Sequence, residues 1–124
     1  MSKSNDCPFC SGDGAIISKE LAYARFDKFP VNPGHVLVIP RRHVSSFFDT
    51  SQSERLEMLN LIDDMKALLD SRHSPDGYNI GVNIGETSGQ TVMHVHLHLI
   101  PRYKGDTPNP RGGVRGVVPS RQSY

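Results

Sequence analysis

The sequence has no long uncharged apolar run: 36% of its 124 residues are hydrophobic and 22% are charged. This leaves neither a spanning helix nor a secretory signal to be read, so the cytoplasm is the expected location and no membrane partner is expected. Excess charge is missing too, with 14 basic residues against 13 acidic ones for a formal +1. Proteins that neutralise a nucleic-acid backbone without regard to sequence carry a strongly basic surface, so no nucleic-acid partner is expected, and any phosphate must be gripped locally. Cysteine is nearly absent: the two present form Cys7-Pro8-Phe9-Cys10. In a chain with no export signal that spacing favours metal or redox chemistry over a structural disulfide, and a reducing interior. No internal repeat is found, and the length suits one domain over 1–124.

The order of elements points to an α+β chain. Short apolar runs between Gly14 and Phe26 flank Lys19-Glu20 and read as a hairpin. Two prolines and a glycine between Phe29 and Gly34 interrupt regular structure, and His35-Val36-Leu37-Val38-Ile39 then has the β-branched content of a buried strand. Ser51-Gln52-Ser53-Glu54 can form a capping box, and Met58, Leu61, Ile62, Met65, Leu68 and Leu69 follow at helical spacing. One amphipathic helix is expected from about Ser51 to Ser71, its methionines serving as core. After Ser74-Pro75-Asp76-Gly77, strands are expected at Tyr78 to Ile84 and Val92 to Ile100, joined by a polar Gly/Ser/Thr loop. The remainder, about 103–124, is rich in Pro, Gly and Arg and reads as irregular.

Within the last of these strands His94, His96 and His98 alternate with Val95, Leu97 and Leu99. On a strand that alternation puts the three imidazoles on one face, successive ones about 6.5–7 Å apart, a spacing that lets one phosphate span two. Three polar rings on a buried face are costly without partners, which favours a site over mere packing. His73, alone in a polar helix-end segment, reads as an ordinary surface residue.

The run from Gln90 to Arg102, QTVMHVHLHLIPR, resembles the signature of the histidine triad family, and Asn32 to Pro40, NPGHVLVIP, is similar to its second hallmark. The resemblance extends from Cys7 to about Arg102. It implies a five-stranded antiparallel sheet with one main helix, usually paired across a two-fold axis into a ten-stranded sheet in a homodimer. It implies a purine nucleotide substrate, with His96 attacking the α-phosphorus to form a nucleotidyl-histidine and water or another acceptor releasing it. His94 and His98 flank the nucleophile, His35 orients it or shares the proton, and no catalytic metal is required. By the same resemblance Asn83, Gln90 and Thr91 contact phosphate oxygens, and amides near Gly89 would stabilise charge on the non-bridging oxygens. Asp27 would accept hydrogen bonds from the ribose hydroxyls, while apolar neighbours such as Phe26 sandwich the base. Within the family, the chain resembles the group whose members hydrolyse dinucleoside polyphosphates and nucleoside phosphoramidates.

Two thiols two residues apart can hold one metal, and tetrahedral structural zinc needs two further ligands. The resemblance supplies them as His43 and His94, joining Cys7 and Cys10. A redox role is weakened by the lack of a strand-then-helix context. Three other functional readings stay open: a nucleotidyltransferase of the same family, a metal-dependent hydrolase using the three histidines as ligands, and a nucleotide-binding regulator without catalysis. Arg111, Arg115 and Arg121 stand among glycines and prolines expected to keep the tail extended. Their forks match phosphate, and in a dimer one tail could reach the other subunit's pocket.

Overall fold

The computed structural model describes residues 6–124. Five strands form one antiparallel sheet in the order β1-β2-β3-β5-β4. They are β1 (Ile17–Ser18), β2 (Ala22–Phe26), β3 (Val36–Pro40), β4 (Gly77–Val82) and β5 (Leu97–Arg102), with one main helix, α1 (Gln52–His73), between β3 and β4.

The helix begins where the sequence says it should. Ser51 Oγ accepts from the Glu54 amide at 3.0 Å and the Glu54 carboxylate accepts from the Ser51 amide at 2.8 Å, a reciprocal cap. It ends at Ser74, whose left-handed φ of 48° turns the chain toward β4. Met58, Leu61, Ile62, Met65 and Leu69 form its buried stripe. They lie on Ala22 and Ala24 of β2, Val36 and Val38 of β3, and Leu97 and Leu99 of β5. The alanines let the helix approach, and each fully buried large side chain contributes about 1.5–3 kcal/mol.

The alternate residues of the same strands face away from the helix. Tyr23, Leu37 and Ile39 pack with Phe9 in a second, smaller cluster. This second face carries the chemistry. Arg42 binds the segment after β3 to the helix start, its Nε and Nη2 donating to the Glu54 carboxylate at 3.1 and 2.9 Å. Gly34, with φ of 89°, makes the turn into β3; a Cβ there would come within 3.0 Å of Leu69 and His73, so only glycine can deliver His35 at this angle.

Three expectations are corrected. The strand read from Val92 begins only at Leu97, where the pairings Val38↔Leu97 and Val82↔Leu97 run out on both sides. His94 and His96 therefore lie in the preceding irregular segment, which instead ties the Val95 amide to the Val44 carbonyl at 2.8 Å. Phe26 is displaced from the expected base site, because strand alternation sends it to the face opposite Arg25 and Asp27, and it is 37% exposed. The tail is not extended: Arg115 donates to the backbone oxygens of Gln122 and Arg121, and Arg111 and Arg115 both stand over the Tyr124 ring, 5.2 and 4.8 Å from its centroid. Those two guanidiniums are engaged within the tail, whose short 3-10 turns at Gly113–Val117 and Pro119–Arg121 close on themselves.

Candidate active site

His96 is held by its own backbone neighbourhood. Its Nδ1 lies 2.8 Å from the carbonyl oxygen of His94; a carbonyl only accepts, so the proton sits on Nδ1 and the Nε2 lone pair is left available. His96 lines a pocket of about 310 Å³ together with Asp27, Asn83, Gly89, Thr91 and His98. Phe9 forms its apolar wall, the ring 4.9 Å from that of His96, and Leu37 is among its lining residues.

A relay of the same logic fixes His98. The Val31 amide donates to His35 Nδ1 at 3.0 Å, so neutral His35 carries its proton on Nε2. That nitrogen is 3.0 Å from His98 Nδ1, which must accept, leaving the His98 proton on Nε2. Burial pushes His98 down to about 4, with His96 and His35 adding to the effect, so near pH 7 it is a neutral donor. Burial also lowers His35, opposed by Asp27, whose Oδ2 stands 3.5 Å from His35 Nε2. The other oxygen of Asp27 accepts from the Phe29 amide at 2.9 Å.

His94 points elsewhere. It is fully buried, and its Nδ1 approaches Cys7 Sγ at 3.3 Å and Cys10 Sγ at 3.6 Å. His43 Nδ1 lies 3.0 Å from Cys10 Sγ. One donor atom from each of these four residues lies within 4.8 Å of all the others, and two sulfurs with two imidazoles are the donor set of structural zinc. His94 Nε2 donates to the Pro40 carbonyl at 2.7 Å, which leaves Nδ1 unprotonated and aimed at the thiols, the outer-shell arrangement usual for a metal-binding histidine. The Cys7–Cys10 turn is fastened to β2 by Tyr23, whose hydroxyl donates to the Phe9 carbonyl at 2.6 Å. The set fits a metal ion, and its turn supplies the Phe9 wall of the pocket.

Among the residues expected at the site, Asp27, Asn83, Gly89, Thr91, His96 and His98 meet at the pocket. His35 stands behind His98, and His94 belongs to the thiol cluster, so the triad does not converge on one metal. Gln90 is also corrected. Its side chain is buried and braces the loop, accepting from the Gly85 amide at 2.9 Å and donating to the Ser45 and Val92 carbonyls at 2.8 and 3.1 Å. Phe9 and Arg25 were missed as pocket residues; strand alternation from Asp27 back to Arg25 carried a signal for the second.

Residues 11–105 match the family model of the HIT domain. The chain belongs to the histidine triad, or HIT, family. Among similar proteins is one named AP-4-A phosphorylase from Mycobacterium tuberculosis, 32% identical over 76% of this chain and 49% of its own length. Another is a bis(5'-nucleosyl)-tetraphosphatase [asymmetrical] from Schizosaccharomyces pombe, 37% identical over 79% of this chain and 54% of its own. The chain thus spans about half the length of these curated relatives. The crystal structure of a zinc-bound histidine triad family protein from Mycobacterium smegmatis superposes with a TM-score of 0.74 at 34% identity, covering 84% of this chain and 80% of that one.

Proposed function

We propose that the chain is a nucleotide hydrolase cleaving at the α-phosphate of dinucleoside polyphosphates or nucleoside phosphoramidates through a nucleotidyl-His96 intermediate. The reading rests above all on the His96 Nδ1 contact of 2.8 Å with the His94 carbonyl, which leaves Nε2 as a nucleophile beside the pocket. That lone pair attacks the α-phosphorus and the bond to the leaving group breaks, its electron pair departing with it: a phosphate leaves as the anion, and an amine leaves neutral by taking a proton from solvent as the bond breaks. The Nε2–H of His98 and the hydroxyl of Thr91 are donors for the phosphoryl oxygens, and Asn83 and the Gly89 amide assist. Asp27 accepts from the ribose hydroxyls.

Water then attacks phosphorus, releasing a proton to solvent, and the P–N bond breaks with its electron pair returning to His96 Nε2. From a dinucleoside tetraphosphate the products are a nucleoside monophosphate and a triphosphate. The relative named a phosphorylase favours a second reading in which inorganic phosphate is the acceptor and the released nucleotide is a diphosphate. Rapid quench with an α-labelled dinucleoside tetraphosphate, with and without phosphate, tests both: label should appear on protein and vanish in His96→Ala. Absence of labelled protein in the active wild type overturns the covalent route, and a diphosphate product made only with phosphate replaces water as acceptor.

Zinc held by Cys7, Cys10, His43 and His94 belongs to this reading as a structural cross-link, and so does a reducing, cytoplasmic setting that keeps the thiols as ligands. A homodimer is part of it as well. β4 is an edge strand with Ile80 51% exposed, and pairing with a second β4 would extend the sheet to ten strands. Sedimentation of wild type against Ile80→Lys tests the pairing.

A further inference from the structure

Across the sheet from the histidines, the pocket is closed by Arg25, a cation only 6% exposed that lines it beside Asp27 and Phe9. Strand register fixes its place: Arg25 pairs with Leu37, and Leu37 pairs with His98. Arg25, Leu37 and His98 therefore form one row on the pocket face, with Arg25 two strand spacings, about 10 Å, from His98.

The protein leaves this guanidinium partly unanswered. A guanidinium has several N–H donors and no acceptor. Nη1 donates to the Pro8 carbonyl at 3.3 Å, the Phe9 ring lies 5.7 Å from Cζ, and the Tyr23 hydroxyl is a further neighbour. None of the ion pairs among the described residues includes Arg25. No buried side-chain nitrogen among them lacks a hydrogen-bond partner, so any donor of Arg25 still without one is accessible to solvent, and the residue lines the pocket. A cation taken out of water without a carboxylate is costly unless something bound there accepts from it.

If the nucleotide lies as the proposed function requires, its α-phosphate sits at His96 and His98 and its ribose at Asp27. The base then rests over Leu37 against Phe9, with one edge turned to Arg25. We propose that Arg25 reads that edge and selects 6-oxopurines, guanine and hypoxanthine, over adenine. O6 and N7 of a 6-oxopurine are adjacent acceptors matched to two parallel N–H donors, whereas adenine presents its 6-amino donor at the same place. The inference rests on the nucleotide reading and gives it a base preference, one that separates this chain from its relative named for an adenosine compound.

Equilibrium binding of GMP, IMP and AMP to the full chain tests it without relying on turnover. GMP and IMP should each bind about tenfold tighter than AMP, and Arg25→Met should bring all three within about twofold of one another. IMP isolates the 6-oxo group because it lacks the 2-amino group of guanine. Equal binding of AMP and GMP by wild type overturns the inference, as does IMP behaving like AMP. Should Arg25→Met misfold, the wild-type ratios still decide, and Arg25→Gln supplies a side chain that can face either base and should narrow the ratio. An Arg25 that only anchors the turn at Pro8 would lower stability on substitution and leave the ratios unchanged, which also overturns the proposal. The rapid-quench experiment separates the two claims: labelled protein with no base preference defeats base selection alone, and base preference with no labelled protein defeats the reaction alone. Failure of all three nucleotides to bind defeats both.

Discussion

His94 and His96 stand two residues apart and use opposite ring nitrogens. His94 gives Nε2 to the carbonyl of Pro40 and turns Nδ1 to two sulfurs. His96 gives Nδ1 to the carbonyl of His94 and leaves Nε2 for the pocket. The residue type is the same, and one backbone oxygen in each case decides whether the ring is suited to hold a metal or to attack phosphorus. The two sites are also joined, since the oxygen that orients His96 belongs to His94.

The largest separation between them should come from single deletions. His96→Ala should lower turnover by orders of magnitude and leave the melting temperature nearly unchanged, because a half-exposed ring at a pocket wall supports little packing. His94→Ala should remove a fully buried ring and one member of the proposed zinc set together, so any bound zinc should be lost and melting should fall on the order of 10 °C. Calorimetry, metal analysis and initial rates on the two variants settle the contrast. A His94→Ala protein that keeps zinc and melts like wild type would break it.

Removing the metal without touching His94 sharpens the same comparison. Purified reduced and without chelator, the protein should hold about one zinc per chain, and Cys7→Ser should lose it because a thiolate supplies both a ligand and charge. Chelator should lower stability and still allow the nucleotidyl-protein to form, as His96 does not need the ion for its lone pair. Turnover abolished by chelator and restored by metal, with no covalent species at any time, would favour a metallohydrolase instead.

The sequence made the pocket legible and its wiring much less so. The capping box at Ser51 and Glu54 and the apolar stripe of α1 are local patterns, and they survive unchanged in the structure. The apolar–His alternation around Val95 is local too, but whether it becomes strand depends on β3 and β4, and both run out of partners at Leu97. Gln90 has the polarity of a phosphate contact; only the fold brings the Ser45 carbonyl to it. The tail follows the same rule. Its glycines and prolines suggest an extended strap, yet Tyr124, at the far end, gathers Arg111 and Arg115.

A smaller effect distinguishes the clusters by pH. His98, at about 4 in the folded protein, is lowered from its ordinary value near 6.5 by burial. Between those values the unfolded chain takes up a proton that the folded chain refuses. Stability is therefore full above about pH 6.5 and declines as pH falls toward 4, below which the folded state protonates as well. Burial depresses His35 in the same direction. Denaturant midpoints from pH 7 to 4.5 should fall for wild type and fall less steeply for His98→Asn. An equally steep decline in that variant would assign the pH dependence to other groups.

The smallest expected effect serves as the control for all of these. Ser51→Ala removes the hydroxyl that caps the Glu54 amide while the Ser51 amide can still donate to the Glu54 carboxylate and Arg42 still binds it. One capping bond is lost at the helix start, which should cost about 1 kcal/mol. Because Arg42 adjoins His43, this cap is the part of the helix nearest in sequence to the thiol cluster, the place where a loosened helix start would reach it. The retained Arg42–Glu54 pair argues that it does not. Zinc content and turnover should match wild type while the denaturant midpoint drops modestly. If zinc falls with the cap, the helix start and the metal set act as one unit, and the loss of stability in His94→Ala would have to be shared between them.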